Sequence, residues 1–180
     1  MQSTRVELGI QLHISSAKIL IEQVAPVEND FEAYHRQKPK GGLWTSSWQE
    51  ETSAWVEWCR GEDFDNVDER IWWLLTPRPN CKLYIIDSLK DFQRCLMEYG
   101  EPAPLAIAYP VFAEKRVIDF EKLAQEFDGV HLTERGNGQT HLSYPNDLNA
   151  WDCESTLWFR WCFTEVRQMQ PVGPIKADEK

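Results

Sequence analysis

The sequence predicts a single α+β domain, because segments with the two-residue periodicity of strands are mixed with segments of helical periodicity. They do not follow each other in the regular βαβ rhythm that is typical of parallel α/β sheets. The 180-residue chain can enclose a full hydrophobic core, and 42% of its residues are hydrophobic. We therefore expect one domain over residues 1–170 and a polar tail over residues 171–180.

Alternating apolar residues predict several strands. The first ends near His13, and its apolar face consists of Val6, Leu8, Ile10 and Leu12. A second strand is predicted at GGLWTSSW, residues 41–48, which combines paired glycines, two tryptophans and three hydroxyl side chains. Further strands are expected at CKLYIID, VHLT, QTHLSY and ESTLWFRWCF.

Helical periodicity predicts helices between these strands. The clearest is SLKDFQRCLMEYG, because Ser88 is a natural N-cap and Gly100 a natural stop. Other helices are expected at SSAKILIEQVA, in the Trp-rich segment from about residue 49 to 60, at NVDERIWWLL and at VIDFEKLAQEF. Residues 26–40 and 101–117 are predicted to be loops, and ERGNG a turn.

The composition restricts the classes of partner. The net charge of −10 disfavours broad binding to a phosphate backbone, which requires clustered Lys and Arg, but permits a basic protein partner. No apolar run of membrane length and no secretory leader is present, so we expect a soluble, cytoplasmic protein with no membrane partner. Nine tryptophans are unusually many, and some of them should line a cleft or an interface.

The spacing of the cysteines and the absence of glycine-rich motifs indicate which metals and nucleotide cofactors to expect. The five cysteines are odd in number and lack CxxC spacing, which favours free thiols in a reducing compartment over disulfides or a zinc knuckle. We therefore expect no metal, with a site assembled from scattered His and Cys residues as the alternative. The absence of GxGxxG and GxxxxGK[ST] motifs argues against dinucleotide-binding Rossmann and P-loop folds.

Polar side chains lie at or next to the ends of predicted strands in three segments: LHIS, GGLWTSS and AWDCESTLWF. Gly42 permits the close approach of a ligand, and Trp44 offers a flat face for stacking. Asp152 and Glu154 flank Cys153 at the start of a very apolar strand, and strict alternation would place both carboxylates on one face. Burial of either carboxylate requires a compensating partner.

The order of these stretches resembles the ADP-ribosyltransferase fold, whose members carry His or Arg, an aromatic or Ser, and Glu on three core strands. GGLWTSSWQEETSAWVEWC is similar to the poly-ADP-ribose polymerase type of strand and helix, with Gly42, Leu43 and Trp44 at its Gly-Ile-Tyr part and Ser53-Ala54 at its Ser-Ala part. LHIS is similar to the family's His-Gly-Ser/Thr motif. The resemblance covers about 25 residues, and it departs at Ile14 and Trp44, where the family has Gly and Tyr.

The resemblance implies two small packed β-sheets flanked by helices, with NAD as substrate and no metal. Glu154 would be the catalytic glutamate that stabilises an oxocarbenium-like state, and Asp152 would act near the acceptor. His13 would hold the adenosine ribose, and Trp44 would stack on the nicotinamide. The residues expected to bind NAD are His13, Ile14, Ser15, Gly42, Trp44, Thr45, Ser46 and Trp55.

Other functions stay open. If the protein is a transferase, ADP-ribose would pass to a macromolecular acceptor, and the negative net charge of the chain favours a protein acceptor over a nucleic acid. The main alternative is a non-catalytic acidic interaction module of the inhibitor or immunity type, which caps a basic partner. A weaker one is a hydrolase that uses Cys153 with His131 or His141, although no motif for an oxyanion hole accompanies it.

Overall fold

The computed structural model describes residues 8–17, 23–30 and 37–173. Its α+β class agrees with the prediction. The strands are β1 Gln11–Ser15, β2 Leu43–Ser47, β3 Ile71–Pro77, β4 Leu83–Ile86, β5 Gly100–Pro102, β6 Arg116–Ile118, β7 Gly129–Leu132, β8 Ser155–Trp158 and β9 Phe163–Met169. Residues 18–22 of the predicted helix SSAKILIEQVA and residues 174–180 of the predicted tail lie outside the described residues, and the described residues of that segment, 15–17 and 23–25, are not helical.

Seven of these strands form one sheet in the order β4-β7-β8-β2-β1-β3-β9, and β5 and β6 form a separate ribbon. All neighbours in the large sheet are antiparallel except β4 and β7. The expectation of two small packed sheets is wrong, because hydrogen bonds between β1 and β2 join two groups of strands edge to edge. That junction is short: it pairs only Gln11 with Ser47 and Leu12 with Ser46.

The helices are α1 Ala54–Gly61, α2 Leu89–Tyr99, α3 Pro104–Ala108, α4 Phe120–Glu126 and α5 Glu134–Thr140, with short 3-10 helices at Val67–Glu69 and Pro110–Phe112. The prediction for α2 is confirmed, including Ser88 as N-cap and Gly100 as C-cap. The Trp-rich helix α1 begins later than expected, because the Ser53 side chain accepts a hydrogen bond from the Val56 backbone N–H and caps it there.

Residues 71–75 of NVDERIWWLL belong to β3 and residues 67–69 form a 3-10 helix, so the α-helix predicted over this segment is wrong. β3 lies between β1 and β9, and both of its faces are buried. Trp72 and Leu74 pack in the cluster that contains α1 residues, whereas Trp73 and Leu75 pack in a different cluster. A strand that is buried on both faces loses the apolar–polar alternation, and such a run cannot be distinguished from a buried helix by periodicity.

Three predictions in the C-terminal half are also corrected. ESTLWFRWCF divides into β8 and the start of β9, with a bend where the Phe159 backbone N–H donates to the Asp128 carbonyl. ERGNGQT forms α5 instead of a turn and the start of a strand, and Thr133 caps it by accepting from the Gly136 N–H. Residues 101–117, expected to be irregular, contain α3, a 3-10 helix and parts of the ribbon.

The two glycines of α5 give a matched pair of substitutions. A Cβ on Gly136 would lie 2.1 Å from the backbone oxygen of Ile86, whereas a Cβ on Gly138 would meet nothing within 4 Å. We expect Gly136→Ala to lower the free energy of unfolding by about 2 kcal/mol, because the helix must move off β4. Gly138→Ala should raise it by up to about 1 kcal/mol through helix propensity. Urea unfolding of both variants measures the difference, and equal stabilities would contradict this packing.

The helices cover the sheet unevenly. Residues of α2 and α4 pack with β4, β7 and β8 in the largest cluster of buried side chains, and α1 packs with β1 and β3. Among the described residues, no helix is both long and apolar enough to cross a membrane. The strands β1, β2 and β8 are central and adjacent, which brings the segments singled out in the sequence to one part of the sheet.

Candidate functional site

A cavity of about 270 Å³ opens where the pairing of β1 with β2 stops. Beyond the last paired residues, His13 and Ile14 of β1 and Trp44 and Thr45 of β2 line it. Its full lining is Leu12, His13, Ile14, Lys38, Trp44, Thr45, Ser46, Trp55, Trp151, Asp152 and Ser155. Residues from both faces of the strands contribute, as expected for a notch between diverging strands.

Tryptophans give the cavity flat apolar walls. The rings of Trp44 and Trp151 meet edge to face, with centroids 4.7 Å apart. Trp151 is fully buried, and its Nε1–H donates to the Gln37 carbonyl at 2.9 Å, so it holds the Trp44 ring in a defined orientation. Trp55 stacks on Trp58 at a centroid distance of 5.1 Å. These fixed faces suit a planar, largely apolar ligand group.

His13 supplies a hydrogen-bond acceptor to the cavity. Its Nδ1 lies 2.9 Å from the carbonyl oxygen of Trp44, and because a carbonyl only accepts, Nδ1 carries the proton. Burial lowers the pKa of His13, although the hydrogen bond to Trp44 opposes this shift. The imidazole is therefore neutral at pH 7, and its Nε2 can accept a hydrogen bond from a ligand hydroxyl or amide.

Glu154 is held next to this cavity but does not line it. The residue is 7% exposed. Its carboxylate accepts hydrogen bonds from Ser46 Oγ at 2.9 Å, from Ser47 Oγ at 2.8 Å and from the Ser47 backbone N–H at 3.0 Å. Ser46 itself lines the cavity. The carboxylate thus lies one hydroxyl group away from the cavity, in a fixed position.

A buried polar network that sequence reasoning missed continues behind Glu154. Gln11 Oε1 accepts from Thr45 Oγ1 at 2.8 Å and from Thr156 Oγ1 at 3.1 Å, and Gln11 Nε2 donates to Ser47 Oγ at 3.2 Å. Because the Thr156 hydroxyl donates to Gln11, it accepts from His131 Nδ1, 2.8 Å away. The network fixes the hydroxyl that holds Glu154.

His131 joins this network to the carboxylate. Its Nδ1 lies 3.6 Å from Glu154 Oε1. Burial lowers the pKa of His131, and the neighbouring Glu154 carboxylate opposes that shift. The sequence shows only that His131 lies in a predicted strand. Its pairing with Thr156 across β7 and β8 cannot be read from one sequence, so this role could not be predicted.

Asp152 and Glu154 do not share a strand face, so that expectation is wrong. Both residues precede β8, which begins at Ser155, and strict alternation does not apply to them. Asp152 lines the cavity, where its Oδ2 lies 3.9 Å from Lys38 Nζ. The two carboxylates therefore occupy different environments, one at the cavity wall beside a lysine and one buried under serine hydroxyls.

The structure places six of the expected NAD-binding residues on the cavity wall: His13, Ile14, Trp44, Thr45, Ser46 and Trp55. Ser15 and Gly42 are not on it. Ser15 lies at the end of β1, and its hydroxyl donates to the Ala17 carbonyl at 3.4 Å. Gly42 has a φ of +68°, and a Cβ there would lie 2.4 Å from Leu157 Cδ1, so this glycine is required by backbone geometry and packing.

The geometry around Cys153 does not favour the hydrolase alternative. Its Sγ lies 3.8 Å from Ser155 Oγ, whereas the Nδ1 of His131 is engaged with Thr156. Burial raises the pKa of Cys153 to about 12, and the carboxylates of Glu154 and Asp152 add to the shift. The thiol is therefore protonated at pH 7, and a nucleophilic thiolate is disfavoured.

Comparisons of the chain with known protein families, with curated proteins and with solved structures found no match.

Proposed function

We propose that the protein is an NAD-dependent ADP-ribosyltransferase, which cleaves the nicotinamide–ribose bond and transfers ADP-ribose to a macromolecular acceptor. One observation carries this proposal: β1, β2 and β8 are adjacent and bring His13, Trp44 and Glu154 to one cavity and its immediate surroundings. His13 bonds to the Trp44 carbonyl, and Glu154 bonds to Ser46 on the same strand as Trp44. The sequence resemblance implies the same three residues.

The size of the cavity suits the nicotinamide end of NAD. Sites for drug-sized ligands usually measure about 300–1,000 Å³, so a cavity of about 270 Å³ holds only part of a dinucleotide. The aromatic ring would lie against Trp44, and His13 Nε2, in the same cavity, would accept a hydrogen bond from a hydroxyl of the nicotinamide ribose instead of the adenosine ribose that the resemblance implies. Lys38, whose Nζ lies 5.2 Å from the centroid of the Trp44 ring, offers a positive charge for the diphosphate.

The position of Glu154 suits the proposed chemistry. As the bond between the ribose C1 and the ring nitrogen breaks, its electron pair goes to the nicotinamide and positive charge develops on the ribose. The Ser46 hydroxyl lies 2.9 Å from Glu154 Oε2 and 3.2 Å from the Glu154 carbonyl oxygen. Ser46 lines the cavity, and its hydroxyl oxygen would accept a hydrogen bond from a ribose hydroxyl while it donates its own proton to Glu154 Oε2, so the carboxylate would act on the ribose through Ser46. The acceptor nucleophile then forms a new bond to C1, and its proton passes to solvent.

Titration with NAD tests the binding part of this proposal. Calorimetry should detect binding to the wild-type protein, and NAD should quench its tryptophan fluorescence. Trp44→Ala should weaken binding by roughly 1–3 kcal/mol, because a stacking face is lost. Trp161→Ala is the matched control, since Trp161 is also partly buried but packs beside Phe163 away from the cavity. Equal affinities of the two variants would contradict a stacking role for Trp44.

An acidic protein-interaction module is the second candidate, and an exposed apolar surface favours it. Ile107 and Val111 are 80% and 79% exposed, and Leu142 and Tyr144 are 87% and 88% exposed. Val111 and Tyr144 line one groove of about 430 Å³. Exposed apolar groups of this kind often mark protein contacts. A folded wild-type protein that neither binds nor cleaves NAD would favour this candidate over the transferase.

A further inference from the structure

Three loops at one end of the large sheet bring two cysteines and an aspartate together. Cys81 lies between β3 and β4, Asp128 between α4 and β7, and Cys162 between β8 and β9. One ligand atom from each, the two Sγ atoms and a carboxylate oxygen, all lie within 4.8 Å of one another. The residues are far apart in the sequence, so no spacing motif announces this cluster.

Backbone hydrogen bonds fix the three loops relative to one another. The Arg78 N–H donates to the Cys162 carbonyl at 2.8 Å, and the Asp128 N–H donates to the Lys82 carbonyl at 2.7 Å. The Lys82 N–H in turn donates to Asp128 Oδ2 at 2.8 Å, which orients the carboxylate. The Phe159 N–H donates to the Asp128 carbonyl at 2.8 Å. The cluster is therefore preformed by the fold.

The atoms of the cluster match the preferences of zinc. Zn²⁺ binds thiolate sulfur at about 2.3 Å and carboxylate oxygen at about 2.0–2.2 Å in tetrahedral geometry. Two sulfurs at that distance lie about 3.8 Å apart, so the present limit of 4.8 Å requires only small side-chain movements. A cavity of about 180 Å³ reaches Cys81 between Leu8, Pro77 and Trp158, so the cluster is open to a small cavity at this one ligand.

The surrounding charge also suits a divalent cation. Two thiolates and one carboxylate carry one negative charge more than Zn²⁺ neutralises. Arg160 supplies the compensating charge, because its Nε lies 3.4 Å from Asp128 Oδ1. The same guanidinium donates to the Phe127 carbonyl at 3.2 Å, so it is held beside the aspartate. A charged group bonded to a ligand in this way orients it towards the metal.

We propose that Cys81, Cys162 and Asp128 form a binding site for a thiophilic divalent cation, Zn²⁺, with water as the fourth ligand. Binding forms two Zn–S bonds, one Zn–O bond to Asp128 and one Zn–O bond to the water, and the two thiol protons pass to solvent. The ion would connect three loops and so stabilise the folded chain. None of the three ligands lines the cavity between β1 and β2, so the site is independent of the proposed transferase.

Titration with Co²⁺ tests this site, because Co²⁺ binds at zinc sites and its complexes absorb visible light. A phosphine reductant keeps the cysteines reduced. The wild-type protein should bind one equivalent, develop thiolate-to-cobalt charge-transfer absorption and lose it when Zn²⁺ is added. Cys81→Ser and Cys162→Ser should abolish this absorption, and Asp128→Asn should weaken Co²⁺ binding at least about 10-fold. Cys153→Ser is the control, because it removes a partly buried thiol outside the cluster.

Thermal unfolding gives a second measurement. Zn²⁺ should raise the Tm of the wild-type protein and of Cys153→Ser, but not the Tm of Cys81→Ser. If the cysteine variants do not fold, as judged by circular dichroism, Asp128→Asn keeps its predicted loss of affinity as the test. A folded, reduced wild-type protein without the absorption would overturn the proposal. So would an unchanged absorption in both serine variants.

Discussion

Replacing Glu154 with Gln is expected to lower ADP-ribose transfer and NAD hydrolysis about 100-fold or more, while the affinity for NAD changes little. The carboxylate is proposed to act on positive charge that appears mainly in the transition state. Stabilisation of that kind lowers the barrier without strengthening ground-state binding. Labelled NAD measures both turnover and transfer, and calorimetry measures the affinity.

The hydrogen bonds around Glu154 indicate that this variant should fold. The Ser47 N–H lies within 3.3 Å of both carboxylate oxygens, so the single oxygen of a Gln side chain can accept from it and from Ser47 Oγ. The new amide group would then face Ser46, whose proton can turn to the backbone carbonyl of residue 154. The Ser46 oxygen becomes free to accept. A large loss of activity would therefore reflect the lost charge and not a damaged fold.

Asp152→Asn is the matched control for a lost carboxylate. Asp152 lies beside Lys38 on the cavity wall, so its substitution should affect NAD cleavage less than that of Glu154 and should affect use of the acceptor more. Full turnover by a folded Glu154→Gln protein would show that the catalytic assignment is wrong. A wild-type protein with neither binding nor turnover would instead support the interaction module.

Much of the local structure could be predicted from the sequence, because local interactions determine it. α2 has its cap, its apolar face and its stop within 13 residues, from Ser88 to Gly100. The strand at Leu43–Ser47 was predicted for a similar reason, since glycines precede its alternating side chains. β3 and α5 could not be predicted in this way. The burial of both faces of β3 and the close packing of Gly136 in α5 on Ile86 depend on elements far along the chain.

The candidate site was predictable only in part. The stretches with His13, Trp44 and Asp152 were identified from their residue types, and the structure places all three on one cavity. Gln11 could not be identified from its residue type, because its role as a hydrogen-bond acceptor depends on β2 and β8, which supply Thr45 and Thr156. The cluster of Cys81, Asp128 and Cys162 could not be predicted for the same reason: strand order, and not spacing, brings these groups together.

The largest expected effect on stability belongs to Gln11, which is fully buried and bonded to three hydroxyl side chains. Gln11→Leu keeps a similar volume but removes the oxygen that accepts from Thr45 and Thr156. Their hydroxyl protons would be left without this acceptor in the interior, and each such buried group costs about 1–3 kcal/mol. The added apolar surface offsets part of that cost. We expect the free energy of unfolding to fall by about 3 kcal/mol.

Urea unfolding measures this effect, with Gln125→Leu as the control because Gln125 is exposed on α4. The control should stay within about 0.5 kcal/mol of the wild type. Gln11 also orients Ser47, which holds Glu154, so the folded variant should lose kcat for NAD cleavage with little change in KM. Lower stability with an unchanged kcat would mean that Gln11 supports only the core. An unchanged stability would mean that the hydroxyls of Thr45 and Thr156 have other acceptors. The network around Gln11 would then not be what positions the Glu154 carboxylate.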